Sequence, residues 1–223
     1  MKIIDYPDAE AQAIALADRV ASDLRAALAH KGHASLCLPG GTTPGLMLEC
    51  LSAAPLDWAQ VTVFAGDERW LPESAERSNS GQIRARLMRG PAAAAQMVSM
   101  AARGQGLAET AARLSERLAP HLPIDVLVLG MGPDLHVASL FPGAPELPAA
   151  LAAQAPVVMA LHPPTAAEPR LSLSARVLRG AACIHLLISG AEKRAALARA
   201  ARLPETEAPV RVILNDARIH WTA

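Results

Sequence analysis

The fold of this chain is constrained most by short apolar runs that alternate with helix-like segments. The runs "IDVLVL" (124–129) and "CIHLLIS" (183–189) are apolar in succession, as is typical of strands covered on both faces. Residues 8–31 space their apolar side chains like an amphipathic helix, and Gly32 is a helix stop. Such alternation favours an α/β fold with a doubly wound, mostly parallel sheet and helices on both faces.

The same patterns assign the other elements. The remaining predicted helices cover residues 44–51, 79–88, 107–118 and 191–202. The remaining predicted strands cover residues 34–38, 61–64, 156–161, 170–174 and 210–214. The sequence has no internal repeat, and neither loose stretch, 90–106 or 141–156, is long enough to indicate an interdomain linker. We therefore expect a single α/β domain over residues 1–223.

Charge and composition exclude several classes of protein. The chain has 21 basic and 21 acidic residues, so it has no net basic field and we expect no nucleic-acid partner. No apolar run approaches the roughly 20 residues that cross a bilayer, and the first segment lacks the apolar centre of a signal peptide. Cys37, Cys50 and Cys183 form no CxxC pair, which favours reduced thiols over a zinc site. We expect a cytoplasmic protein without a membrane partner, either a monomer or a small homo-oligomer.

In open α/β sheets ligands bind beyond the carboxyl ends of strands, and the first loop of this kind is "LPGGTTPG" (38–45). Gly40 and Gly41 allow backbone amides to face a ligand. Thr43 can cap the following helix and Pro44 suits its first position, which together predict an anion site. The loop matches neither common nucleotide-binding glycine motif, and an ordinary strand-to-helix turn is an equally good interpretation.

The second loop follows the strand at 61–64 and carries Asp67, Glu68 and Arg69. On its own it is best interpreted as a solvated run of charges. Alternatively, Arg69 is an arginine held beside two acids to bind an anion with both nitrogens. Asn79, further along, is either a helix cap or a polar group of a pocket.

The third loop, "GMGPDLHVASLFPG" (130–143), places Asp134 and His136 two residues apart. In extended backbone these side chains point to one side. A carboxylate can fix the tautomer of an imidazole and leave its other nitrogen free as a base. Ser139 lies outside a G-x-S-x-G setting and is not predicted to be a nucleophile.

A fourth element supplies cations. Arg170 opens the strand of "PRLSLS" (169–174), and Lys193 begins the helix of "SGAEKRAAL" (189–197). Each alone is typical of a protein surface. Together with Arg69 they are candidates for the positive lining that a phosphorylated substrate requires.

Taken in order, these segments resemble the glucosamine-6-phosphate isomerase/6-phosphogluconolactonase family, and most closely its 6-phosphogluconolactonases. The matching motifs are "LPGGTTP" (38–44), "GDERWLP" (66–72) with "SN" (78–79), "GMGPDLHVASLFPG" (130–143), "PRLSLS" (169–174) and "SGAEKRAAL" (189–197). The third of them is highly specific. The resemblance covers nearly the whole chain and implies a Rossmann-like fold.

The resemblance implies hydrolysis of 6-phospho-D-glucono-1,5-lactone to 6-phosphogluconate, the second step of the oxidative pentose phosphate pathway. It also implies that neither a metal nor an organic cofactor takes part. His136 would activate water, Asp134 would orient His136, and Arg69 would bind substrate or stabilise developing negative charge. The residues implied to bind substrate and phosphate are Gly40, Gly41, Thr42, Thr43, Asp67, Asn79, Ser139, Arg170 and Lys193.

Two positions depart from the family pattern. Leu135 stands where a glycine is usual, and Val137 replaces a threonine and removes one hydroxyl. We expect the loop to keep a negative φ at Leu135, with the leucine side chain packed outward, because a positive φ would strain it.

Two other functions remain as alternatives. Deaminases of the same fold resemble the chain at the glycine loop, but they typically carry Asp-Glu-Tyr where this chain has Asp67-Glu68-Arg69, so the arginine favours the lactonase. A non-catalytic sugar-phosphate sensor usually carries an attached DNA-binding segment, for which we expect no room in this chain.

Overall fold

The computed structural model describes residues 2–102, 104 and 106–223, and its centre is a parallel sheet of seven strands. The strands lie in the spatial order β1-β10-β9-β6-β2-β3-β5. Their bounds are Lys2–Tyr6 (β1), Ala34–Leu38 (β2), Val61–Ala65 (β3), Gln96–Val98 (β5), Val126–Leu129 (β6), Cys183–Ser189 (β9) and Ala217–Thr222 (β10). The predicted α/β class with a doubly wound sheet is confirmed.

The order of the strands places a crevice at the middle of this sheet. From β2 the chain moves outward to β3 and β5, and it then returns to β6 on the other side of β2. The connections therefore diverge between β2 and β6, which is where open α/β sheets bind ligands.

Helices pack around the sheet and against each other. The helices are Ala9–Lys31 (α1), Gly45–Ser52 (α2), Asn79–Leu87 (α3), Leu107–Leu118 (α4), Leu147–Leu151 (α5), Ala175–Arg179 (α6), Ala191–Ala200 (α7) and Arg211–Leu214 (α8). In α1 the side chain of Asp8 accepts a hydrogen bond from the amide of Ala11 (2.8 Å), and Gly32 ends the helix with a φ of 76°. The core is aliphatic, and Trp58 and Phe64 are its largest fully buried side chains.

A second, antiparallel sheet lies beside the crevice. It consists of Asp67–Arg69 (β4), Arg170–Leu173 (β8) and Val158–Leu161 (β7), with β8 in the middle. The predicted strands at 156–161 and 170–174 thus belong to a sheet of their own. Because Arg69 pairs with Arg170 in register, two candidate cations are brought next to each other.

One predicted strand is wrong. Within residues 210–214, Arg211–Leu214 form the short helix α8 with Val210 as its N-cap, and the last strand is β10, at Ala217–Thr222. Val210, Val212, Ile213 and Leu214 are buried and Arg211 is exposed, and so short a run of mostly apolar residues does not distinguish a strand from a helix. The short elements β1, β4, β5, α5 and α6 were not predicted.

All three cysteines are free thiols. Within the described parts of the chain, no helix combines the length and the hydropathy that crossing a membrane requires.

Candidate active site

A cavity of about 300 Å³ opens at the carboxyl edge of the sheet, beside the point where the strand order reverses. Loops that follow β2, β3, β6 and β9 line it. Nine of the twelve predicted site residues line the cavity, namely Gly40, Gly41, Thr42, Thr43, Asp67, Arg69, Asn79, His136 and Lys193. The fold thus brings together residues that are far apart in the sequence: Gly40 and Lys193 are separated by more than 150 positions.

The other three predicted residues lie behind this lining. Asp134 contacts the ring of His136. The hydroxyl of Ser139 donates to Asp67 Oδ2 (2.5 Å) and so supports a lining residue. Arg170 is buried on β8, with a terminal nitrogen 3.4 Å from Glu168.

Asp134 and His136 form a hydrogen-bonded pair in which Nδ1 of the imidazole lies 2.6 Å from Oδ1 of the carboxylate. An ionised carboxylate only accepts, so Nδ1 is the donor and Nε2 carries the free lone pair in the neutral ring. Burial acts to raise the pKa of Asp134, but the hydrogen bond to His136 and the charge of that ring outweigh it and lower the pKa. The carboxylate is therefore ionised at neutral pH and can hold this tautomer.

Two further residues fix the plane of the imidazole. The ring of Phe141 stacks on His136 with 4.0 Å between centroids and 22° between planes. On Gly132, a Cβ atom would lie 2.2 Å from the His136 ring and 2.4 Å from the Asp134 carboxylate. Only glycine leaves room for the pair at this position. Sequence reasoning did not select Gly132 or Phe141, although both belong to the motif that carried the resemblance.

The expectation for Leu135 is wrong, because its φ is 70° and its side chain is only 3% exposed. Its amide donates to the Gly132 carbonyl (3.0 Å), and the Gly132 amide donates to the His136 carbonyl (3.1 Å). This tight turn requires the left-handed conformation, which costs about 1–2 kcal/mol for an L-residue. Burial of the leucine side chain in the core offsets that cost. Asp134 and His136 therefore meet across a turn and not along an extended strand.

Val137 is a core residue. Its side chain is fully buried, and its backbone bridges to Met131 and Leu140. At this position an apolar side chain avoids the cost of burying a hydroxyl.

The glycine loop differs from expectation in two respects. The amide of Gly41 donates to Oε1 of Gln82 (2.7 Å) and so is not free for a ligand. Gly41 has a φ of 99°, a backbone conformation that favours glycine. The glycine is therefore explained by the turn without a ligand. Pro44, and not Thr43, is the capping residue of α2, and no side chain caps that helix. Thr43 instead lines the cavity.

The Asp67-Glu68-Arg69 segment is strand β4, and its side chains alternate. Glu68 is fully buried, whereas Asp67 and Arg69 line the cavity, as a period of two requires. The interpretation as a solvated run of charges is therefore wrong for Glu68. Arg69 is held by a hydrogen bond from a terminal nitrogen to the Arg77 carbonyl (2.5 Å).

Asn79 is a pocket residue and not the helix cap. The cap of α3 is Ser78, whose hydroxyl accepts from the amide of Gly81 (3.1 Å). The Asn79 side chain donates through Nδ2 to the carbonyl (2.8 Å) and to the carboxylate (3.2 Å) of Asp67. Its Oδ1 atom lies against Gly40, where an added Cβ would be 1.8 Å away. Gly40 is therefore required by the close approach of Asn79.

The cations of the site have different surroundings. Lys193 lies in the first turn of α7 and lines the cavity. Glu168 pairs with both Arg77 (2.5 Å) and Arg170. Burial lowers the pKa of Arg170; of the nearby charges, Asp67 opposes that shift and Arg69 adds to it. Lys193 and Arg69 are thus the predicted cations that reach the cavity directly.

Comparison with known proteins now identifies the family. A family model described as glucosamine-6-phosphate isomerases/6-phosphogluconolactonase matches residues 7–221. The chain belongs to this family. A 6-phosphogluconolactonase of Pseudomonas putida is 42% identical over 99% of this chain and 93% of its own length. One of Pseudomonas aeruginosa is 44% identical over 97% of this chain and 92% of its own length.

Solved structures agree with this family assignment. The crystal structure of a 6-phosphogluconolactonase from Shewanella baltica superposes with a TM-score of 0.96 at 30% identity, and covers 100% of this chain and 98% of its own. A monomeric glucosamine-6-phosphate deaminase has a TM-score of 0.81 over 100% of this chain and 97% of its own, but only 17% identity. That likeness shows the shared fold alone.

Among the residues described, no group of three or more His, Cys, Asp or Glu side chains is arranged to hold a metal ion.

Proposed function

We propose that this chain hydrolyses 6-phospho-D-glucono-1,5-lactone to 6-phosphogluconate in the oxidative pentose phosphate pathway, with residues 1–223 acting as one domain. The observation that carries the proposal is the Asp134–His136 pair at a cavity that Arg69 and Lys193 also line. The proposal is supported by the names of relatives that are 42% and 44% identical over nearly the whole chain.

In the proposed mechanism His136 is the general base. Its Nε2 takes a proton from a water molecule as the oxygen of that water attacks the lactone carbonyl carbon. The tetrahedral intermediate then collapses, the bond to the ring oxygen breaks, and the imidazolium returns the proton to the departing hydroxyl. A positioned base of this kind contributes typically about 10²–10⁴-fold to the rate. No covalent nucleophile or metal is needed, because a lactone is an activated ester.

Arg69 is proposed to stabilise the negative charge that develops on the carbonyl oxygen. It lines the same cavity as His136 and is pre-oriented by its bond to Arg77. A fixed cation directed at developing charge needs no rearrangement during the reaction. Asp67 and Asn79, which are bonded to each other, are proposed to contact the hydroxyls of the sugar, with Ser139 holding Asp67.

The phosphate is proposed to bind between the start of α2 and Lys193. Thr42 and Thr43 line this end of the cavity, and the dipole at the start of a helix favours an anion. Gly40 and Gly41 shape the loop. Arg170 is proposed to add positive potential from behind Glu168 and not to touch the phosphate, because its side chain is only 7% exposed.

The experiment that tests this function is an assay of the purified protein on freshly made lactone, scored above spontaneous hydrolysis. Glucosamine 6-phosphate is the matched alternative substrate. We expect rapid lactone hydrolysis, undiminished by EDTA, and no release of ammonia from glucosamine 6-phosphate. Deamination without lactonase activity would refute the proposal, and loss of the lactonase activity in EDTA would refute the metal-free mechanism.

A further inference from the structure

Glu68 is a buried carboxylate that the proposed mechanism does not use. It lies in β4 between two residues that line the cavity, and its side chain is fully buried. Oε1 accepts hydrogen bonds from the amides of Arg69 (2.9 Å) and Asn79 (2.7 Å). Oε2 accepts from the Ser80 amide (2.7 Å) and the Ser78 hydroxyl (3.1 Å).

Four donors on two oxygens match an ionised carboxylate, which can accept at every position. A protonated acid would have to turn its hydrogen towards the Ser78 hydroxyl and would lose the bond that this hydroxyl donates. Burial raises the pKa of Glu68, and the amides of Ser80 and Asn79 act against that shift. The charge lies at the start of α3, where the helix dipole also favours an anion. The four bonds make Glu68 a satisfied anchor that joins β4 to α3.

This anchor lies where several parts of the cavity meet. The helix that it holds carries Asn79, which bonds to Asp67 and packs against Gly40. One turn further on, Gln82 holds the amide of Gly41. The same carboxylate also holds the backbone of Arg69. The positions of three lining side chains therefore depend on Glu68, although it does not line the cavity itself.

We propose that Glu68 is a positioning residue for the reaction: by fixing the start of α3 on β4, it sets where Asp67, Arg69 and Asn79 stand around the substrate. The inference rests on the proposed function in that these residues are taken to contact substrate. The geometry of the anchor itself does not depend on the identity of the substrate.

The first variant is Glu68→Gln, which keeps the shape but replaces one oxygen by an NH₂ group. Turned towards the amides of Arg69 and Asn79, that group faces two donors and can accept from neither. Turned the other way, it faces the Ser80 amide and the Ser78 hydroxyl and leaves at least the amide without its acceptor. Glu68→Asp keeps the charge but is one methylene shorter, so it cannot reach all four donors. The matched control is Glu49→Gln on α2, whose carboxylate pairs with Arg86 and Arg89 away from the cavity.

The kinetic test is a double-mutant cycle with Asn79→Ala, using kcat and KM for the lactone. We expect E68Q to lower kcat/KM by about tenfold or more, mainly through kcat, with E68D in between and E49Q within about twofold of wild type. In the Asn79→Ala background, E68Q should lower kcat/KM by less than a further factor of about three. Wild-type kinetics in E68Q or E68D, or effects of E68Q and N79A that simply multiply, would overturn the inference.

A structural readout separates this inference from the proposed function. In E68Q the amides of Asn79 and Ser80 should exchange hydrogen faster than in E49Q, while those of α1 stay as protected as in wild type. Unchanged exchange at these two amides would refute the anchor even if the lactonase assay succeeds. A wild-type protein without lactonase activity would refute the proposed function, whereas the exchange result would still decide whether Glu68 anchors α3.

Discussion

At the scale of single residues, the site depends on what surrounds His136. Asp134 takes one ring nitrogen, Phe141 covers one face, and Gly132 leaves the space in which the pair fits. The spacing of Asp134 and His136 predicted that they pair, but through extended backbone, whereas they meet across a turn at Leu135. The roles of Gly132 and Phe141 could not be predicted, because they depend on a turn whose shape is not readable from residue types.

Gly132→Ala should impair catalysis without impairing the fold. The new Cβ would lie 2.2 Å from the His136 ring, so the imidazole must move. A misplacement of about 1 Å costs on the order of 10²-fold in rate, and we expect a loss of that order in kcat with little change in KM. Gly106→Ala, where a Cβ meets nothing within 4 Å, is the control. A Gly132→Ala enzyme with wild-type kcat would show that the ring is not held as described.

At Leu135 the positive φ destabilises the folded protein, whereas burial of the side chain stabilises it. Two substitutions separate these effects. Both Leu135→Ala and Leu135→Gly remove a buried side chain, for which losses of about 2–5 kcal/mol are usual. Only glycine also relieves the positive φ, which is worth about 1–2 kcal/mol. We expect both variants to be destabilised and the glycine variant to be the more stable, as measured by urea unfolding. The reverse order would contradict the left-handed conformation.

At the scale of elements, the predictions succeeded where a run had both the length and the pattern of its element. Strand β9 and helix α1 were predicted nearly to their ends. The run 210–214 was misassigned because five mostly apolar residues are too few to show the period of a helix or of a strand. Strand β4 has only three residues, and the role of its Glu68 depends on the start of α3, whose first two amides donate to the carboxylate.

Helix α7 places Lys193 at the cavity, so replacing this lysine should weaken binding of the phosphate. Lys193→Ala should raise KM by about tenfold, as loss of a charged hydrogen bond of about 1.5 kcal/mol or more would, and should change kcat little. Arg199→Ala, an exposed cation on the same helix, is the matched control. A loss confined to kcat in Lys193→Ala would argue against contact with the phosphate.

Strands β1, β10 and β9 share a buried chain of hydrogen bonds that links them to α1. Tyr6 donates to Nδ1 of His220 (2.8 Å), and Nε2 of His220 donates to His185 (3.1 Å). His185 donates to Asp23 (2.9 Å). With both histidines neutral every member is satisfied, and a proton added to Nδ1 of His220 would remove the hydrogen bond that the Tyr6 hydroxyl donates there.

This chain predicts how stability depends on pH. Burial lowers the pKa of His220 from 6.5 to about 4, and the nearby His185 and Arg218 act in the same direction. The unfolded chain therefore binds the extra proton first, and the stability from this group is complete above pH 6.5 and is lost as the pH falls towards 4. Between pH 7 and 5 the loss is about 2 kcal/mol.

The measurement is the free energy of unfolding in urea at pH 7 and pH 5. His220→Gln should be less stable than wild type at pH 7 and should lose less stability on acidification. His30→Gln, an exposed histidine on α1, is the control. An equal loss of stability in wild type and His220→Gln would contradict this account.

At the scale of the whole molecule, the cavity exists because the sheet reverses its strand order between β2 and β6. The alternation of strands and helices predicted such an edge, and four motifs predicted which loops would meet there. Neither the alternation nor the motifs could predict which cations would reach the cavity. Arg170 lies against Glu168, two residues before it, and Arg77 pairs with the same carboxylate from 91 positions away. The amide of Gly41 bonds to Gln82, 41 positions away. The contacts of Arg77 and Gln82 are set by the tertiary fold and cannot be predicted from local sequence.

The central claim is that the Asp134–His136 pair activates water against a lactone. The most direct measurement is kcat of His136→Ala on fresh lactone, with 6-phosphogluconate binding measured in parallel and His162→Ala as control. His162 forms the same kind of pair with Glu146 (2.8 Å) outside the cavity. We predict that kcat of His136→Ala falls by about 10²–10⁴-fold while product binding persists, and that His162→Ala matches wild type. A His136→Ala enzyme that turns over at the wild-type rate would contradict the account.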